Sequence, residues 1–142
     1  MTPDQVQIIK STFAEVLKIR EKAGLLFYER LFAIAPETRP LFKGDIAEQS
    51  RKLMDTLALA IGMLRDMPTL VQTLQALALR HVQYGVKNEH YDKVGASLLW
   101  TLEQGLGPKF TPKARDAWTA LYGAVAKIMM DAAQPGAKPA AT

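Results

Sequence analysis

Leu70-Val71-Gln72-Thr73-Leu74-Gln75-Ala76-Leu77-Ala78-Leu79-Arg80-His81 is a segment of recurring apolar residues that ends on an imidazole. Leu70, Leu74, Leu77, Ala78 and His81 share one face if the segment is a 3.6-residue-per-turn helix, so the ring points where a core should be. A histidine there has two employments. It is hydrogen-bonded within the core, or it ligates a metal held in an apolar pocket. The segment alone leaves both open.

The chain around it is helical throughout, with no alternating strand pattern of useful length. Thr2-Pro3-Asp4-Gln5 reads as a helix start, with a capping Thr, Pro at the first helical position and Gln placed for a capping box. Val6, Ile9, Phe13, Val16 and Leu17 then form one stripe. A second helix is expected over 21–35, stopped by Pro36, and two prolines between Pro36 and Phe42 leave room for only a short, tight turn. A long helix over 46–65 would turn Gln49, Leu53, Leu57, Ala60 and Leu64 inward, and Thr69 is a candidate cap for the histidine helix. After Gly85-Val86-Lys87-Asn88 turns the chain, Tyr91, Val94, Leu98, Thr101 and Leu102 mark the next inward face. Gly105-Leu106-Gly107-Pro108 ends that helix. Thr111-Pro112 opens a last one faced by Trp118, Leu121, Val125, Ile128, Met129 and Ala132. The expected architecture is all-α with about seven or eight helices in one domain over residues 1–132. Residues 133–142, rich in Pro, Gly and Ala, read as a disordered tail.

Composition narrows the function. At 142 residues the chain is one domain, long enough to bury about two-thirds of its unfolded surface. The net charge of +4 is spread without a block of like charges, which argues against nucleic acid as a partner. The absence of cysteine removes disulfides, thiolate catalysis, zinc–sulfur sites and thioether-linked haem. The longest apolar run, residues 57–64, is too short to span a membrane. The opening residues lack the apolar core of a secretion signal, so a cytoplasmic location is expected.

Two polar side chains sit on otherwise apolar stripes. Tyr28 follows Gly24 by one turn, and Gln49 lies on the inward face of the long helix. Buried polar groups need partners. A mid-helix glycine costs about 1 kcal/mol against alanine, which makes sense if another helix approaches its backbone. Ser50 is the candidate crossing partner, and that crossing would bring Tyr28 and Gln49 together.

Several blocks in order carry a family resemblance: Leu26-Phe27-Tyr28; Pro36 with Phe42 six residues on; Gln49-Ser50-Arg51-Lys52-Leu53; Arg80-His81-x-x-Tyr84-Gly85-Val86; His90-Tyr91-x-x-Val94-Gly95; and Trp118-x-x-x-Tyr122-Gly123. With these, the chain resembles the globins, in particular the single-domain bacterial haemoglobins and the globin domain of flavohaemoglobins. The resemblance implies a globin fold around a non-covalent haem b. His81 would be the proximal iron ligand, its other ring N–H donating to a carbonyl near Leu77. Phe42 would wedge against the porphyrin, Tyr28 and Gln49 would form the distal polar pair, and Leu53 and Leu57 would close the ligand pocket. Leu77, Val86, Val94 and Leu98 would line the haem, and Tyr91 would lie beside the proximal histidine.

The implied ligands are dioxygen, carbon monoxide and nitric oxide, on a monomer or weak homodimer. Reversible oxygen binding for storage, scavenging or delivery is the first expectation. The alternatives are a nitric-oxide dioxygenase working with a separate flavin reductase, and a gas sensor or interaction module. In flavohaemoglobin-type relatives a Glu late in the last helix, with the residue matching Tyr91, bonds the proximal histidine. Here the matching position is Ala133, so that carboxylate is missing. His90 is read as a surface residue, with an approach to the haem edge as the alternative, and Arg51, Lys52 and Lys87 are candidate partners for haem propionates.

Overall fold

The computed structural model describes residues 1–42, 44–83 and 85–133. Six α-helices and two 3₁₀ helices occur among them: α1 (Pro3–Leu17), α2 (Arg20–Ile34), a 3₁₀ helix (Pro36–Leu41), α3 (Ile46–Gly62), α4 (Met67–Gln83), α5 (Asn88–Leu106), a short 3₁₀ helix (Gly107–Lys109) and α6 (Pro112–Ala133). The all-α expectation holds. No strand is present among the described residues.

Local chemistry sets most helix ends. Thr2 and Gln5 form a reciprocal capping box, with Gln5 N–H donating to Thr2 Oγ1 at 3.1 Å and Thr2 N–H to Gln5 Oε1 at 3.0 Å. Asp45 caps α3 by accepting from Ala47 N–H at 3.1 Å, and Thr111 caps α6 by accepting from Ala114 N–H at 3.1 Å. Elsewhere the boundaries differ from those read off periodicity. The chain leaves α3 at Gly62, before Arg65, and α4 begins at Met67. Asp66 acts there in place of Thr69: its carboxylate accepts from Thr69 Oγ1 at 2.7 Å and from Thr69 N–H at 3.4 Å. A carboxylate at a helix N-terminus also meets the favourable end of the helix dipole. Helix α6 continues through Ala133, so the tail expected from 133 falls on 134–142, outside the described residues.

The core is built where α1, α2, α5 and α6 meet. Ile9, Leu31 and Trp118 are sealed from solvent. The Trp118 indole N–H donates to Thr12 Oγ1 at 2.9 Å, and that hydroxyl donates to the Ile8 carbonyl at 2.6 Å. One hydroxyl therefore serves a buried donor and a helix acceptor, leaving no orphaned polar atom at the centre. Helix α3 rests on α2, and α4 rests on α6, yet the consecutive helices α3 and α4 hardly approach one another.

That divergence corrects the expected stripe of α3. Ser50, Met54 and Ile61 are the fully buried residues of α3, whereas Gln49, Leu53, Leu57 and Ala60 are only half-buried. Periodicity found an apolar face, but the face pressed against α2 is the adjacent one. Leu64, the last residue of the predicted stripe, is buried just beyond the end of α3.

Candidate functional site

His81 stands near the C-terminal end of α4, partly buried, with Nδ1 2.9 Å from the Leu77 carbonyl oxygen. A carbonyl only accepts, so Nδ1 carries the proton and Nε2 the lone pair. Burial lowers the pKa of the ring, only partly opposed by the Leu77 bond, and the neighbouring Arg80 charge adds to the lowering. The imidazole is thereby held neutral and ligand-competent.

Helix α4 then closes sharply. Gly85 N–H donates to the Val82 carbonyl at 3.0 Å and Val86 N–H to the His81 carbonyl at 3.0 Å, the paired bonds of a Schellman closure. Gly85 takes φ +92°, a value side chains resist. A Cβ at Gly85 would lie 3.3 Å from Leu41 Cδ2, so this turn meets the end of the first 3₁₀ helix. The spacing His81-x-x-x-Gly85-Val86 is thus explained: the turn ties Val86 to the backbone of the histidine. Tyr84, quoted in that motif, lies outside the described residues.

The opposite wall comes from α2 and α3. A Cβ at Gly24 would sit 2.5 Å from Ser50 Cβ, so the two helices cross in near-backbone contact, as expected. One turn on, Tyr28 is buried, and its hydroxyl donates to the Gln49 backbone carbonyl at 3.4 Å. The structure brings these two residues together through the main chain. The Gln49 amide instead reaches toward Gly44, where an added Cβ would be 3.8 Å from Nε2. Burial pushes the Tyr28 phenol up to about 12, so its proton is retained at neutral pH.

Tyr28 belongs to an aromatic cluster. Its ring centroid lies 5.1 Å from Phe42, 5.0 Å from Phe27 and 5.9 Å from Phe32, mostly edge-on or tilted. Arg39 holds the cluster from outside, its guanidinium 5.0 Å above the Phe32 ring and its Nη1 donating to the Phe42 carbonyl at 3.0 Å. Phe32 and Arg39 were not singled out from sequence. Phe32 follows Tyr28 by four residues, a spacing that could have flagged it.

Phe42, Leu53, Leu57, Leu77, Val86 and Val94 all remain half-buried while packing on the core, and Tyr91 and Leu98 are buried. Tyr91 is held by α6, its backbone carbonyl accepting from the Tyr122 hydroxyl at 2.6 Å. His90, expected at the surface, is buried at 6% exposure, and its Nδ1 accepts from Lys87 N–H at 3.0 Å. It closes the first turn of α5 by accepting from the N-cap residue, while its burial comes from the packing of the helices. Lys52 pairs with Glu48 at 3.7 Å on the exposed face of α3, and Arg51 lines a crevice of about 150 Å³ between α2 and α3 with Arg20 and Met54.

The globin family matches residues 25–129. The chain belongs to that family, whose members bind gases through haem. The flavohemoprotein of Vibrio cholerae serotype O1 is 30% identical over 138 residues, covering 92% of this chain and 34% of the relative. The flavohemoprotein of Bordetella pertussis is 31% identical over 134 residues, covering 92% of this chain and 33% of the relative. The chain therefore spans about a third of the length of these curated relatives. A bacterial globin from Campylobacter jejuni, 31% identical, superposes with a TM-score of 0.80 over 93% of this chain and 96% of that one.

Three observations of this structure fit the residues to a haem. Helices α3 and α4 make few close contacts with one another, the half-buried side chains Leu53, Leu57 and Leu77 that they carry are apolar, and the His81 ring bonds the Leu77 carbonyl through Nδ1. No helix among the described residues is long and apolar enough to cross a membrane.

Proposed function

We propose that this chain binds dioxygen reversibly, for storage, scavenging or delivery, with His81 as the proximal ligand of a haem b and Tyr28 as the principal distal donor. The observation that carries the reading is the pairing of a carbonyl-anchored imidazole on α4 with a buried, protonated phenol on α2. When bound, a haem held by His81 would supply an iron able to take up and polarise a diatomic gas. The lack of cysteine supports a non-covalent group.

The chain's own residues supply the rest. His81 presents Nε2, and the Leu77 bond fixes its ring. Phe42, Leu53, Leu57, Leu77, Val86, Val94 and Leu98 keep water away, and Tyr91 backs the proximal side. The Tyr28 hydroxyl leaves its long bond to Gln49 at little cost and donates to the gas. A hydrogen bond to a charged acceptor contributes about 1.5–3 kcal/mol, or about a ten- to hundredfold slower release. The Gln49 amide is the second donor of this reading. Ala133 offers a methyl group where a carboxylate would pull on the proximal histidine, which favours binding over electron push.

Similarity to flavohemoproteins supports a second reading, nitric-oxide dioxygenase activity with electrons from a separate flavin reductase. Nitric-oxide consumption with an added reductase, compared with oxygen release, separates the two. The primary test is reconstitution with haemin, reduction, and exposure to oxygen and then to carbon monoxide. Distinct, reversible spectra are expected for each gas. A protein that desalts colourless refutes both readings.

A further inference from the structure

We infer that Tyr122 is a positioning residue for the proximal side of the haem site, one that seats the turn 91–95 of α5 on α6 through the backbone of Tyr91; this rests on the haem reading above. The side chain engages that turn twice. Its hydroxyl donates to the Tyr91 carbonyl at 2.6 Å. Its ring fills the place of a side chain at buried Gly95, where a Cβ would lie 2.7 Å from Cε2 and 2.9 Å from Cδ2. The spacings Tyr91-x-x-x-Gly95 and Trp118-x-x-x-Tyr122 are two halves of one contact.

One turn before Tyr122, a separate bond from Trp118 to Thr12 ties α6 to α1. From the seated turn the bonds run on toward the ligand: His90 Nδ1 holds Lys87 N–H, and Val86 N–H holds the His81 carbonyl. Tyr91 and Val94, both assigned to the proximal side, ride on the seated turn. A phenylalanine at 122 would fill the same volume, so the hydroxyl is the part that positions. With Ala133 in place of a carboxylate, α6 acts on the proximal side through this phenol and the main chain of α5.

The test compares full-length Y122F with T12V, which removes the Trp118 acceptor on the far side of α6 and leaves the α5 contact untouched. In reduced, haemin-reconstituted protein the iron–histidine stretching band by resonance Raman should move in Y122F and stay in place in T12V. In haem-free protein, amide exchange over residues 88–95 should quicken about three- to tenfold in Y122F, the effect of losing one hydrogen bond. T12V should leave that stretch no faster than the rest of the chain. A Y122F protein with unmoved band and unmoved exchange overturns the inference, as does a T12V protein that matches Y122F in both. A wild-type protein lacking any iron–histidine band sinks the haem reading instead, a separate failure because exchange in the haem-free protein reports the contact directly.

Discussion

Gly24→Ala puts one methyl group into the near-backbone crossing of α2 and α3. The new Cβ would stand 2.5 Å from Ser50 Cβ, 3.0 Å from its Oγ and 3.1 Å from its Cα. Carbon atoms settle about 3.5–4.0 Å apart, so α2 and α3 must separate by about 1 Å. Alanine gains about 1 kcal/mol of helix propensity over glycine, and overpacking costs about 1–3 kcal/mol. Two of the three opposing atoms are Cβ and backbone, which cannot swing aside, so the upper figure applies and the net loss is about 2 kcal/mol. For a domain of this size that lowers Tm by about 5–10 °C. Urea denaturation of the haem-free protein measures it, and a double-mutant cycle locates it. Ser50→Gly should relieve much of the clash, with a coupling of about 1–2 kcal/mol, whereas Ser50→Ala, which keeps the Cβ, should show little. A Gly24→Ala protein at least as stable as wild type would refute the reasoning.

Other outcomes are expected with the same structure in view. Tyr28→Phe should speed oxygen dissociation about ten- to a hundredfold in stopped-flow measurements, from the loss of one charge-assisted donor; an unchanged rate means the hydroxyl never reaches the gas. His81→Gly should lose the five-coordinate ferrous spectrum and regain it with added imidazole; a mutant spectrum identical to wild type places the ligand elsewhere. Alkaline titration probes the buried phenols. Tyr28 rises from 10.0 to about 12 in the fold and Tyr122 rises as well, both chiefly by burial. The unfolded chain therefore releases these protons first, so stability falls as pH climbs from about 10 toward 12. Phenolate absorbance should show both residues ionising late; full ionisation near pH 10 with helicity intact contradicts the burial.

Interactions that run along a single helix were legible in the chain. The capping box of Thr2 and Gln5, the Thr111 cap, the 3₁₀ turn between Pro36 and Phe42, and the bond from His81 to the carbonyl of Leu77 all connect residues two to five apart. Helix geometry makes such neighbours inevitable once the helix forms. The Gly24–Ser50 crossing was legible for a related reason: a glycine inside a strong helical pattern is costly enough to demand a packing partner.

Other features took shape only when the helices assembled. Nothing in the periodicity of α3 separates the buried residues Ser50, Met54 and Ile61 from the half-buried Leu53 and Leu57. Both sets are mostly apolar, and the difference lies in where the neighbouring helices stand. The Thr12 hydroxyl beneath the Trp118 indole, the Tyr122 ring over Gly95 and the burial of His90 likewise join segments far apart in the chain or come from the packing of the helices. Short-range order follows from backbone stereochemistry repeated residue by residue. Which long-range contacts form is settled by many small packing energies summed over all the helices at once, and no local stretch of residues contains that sum.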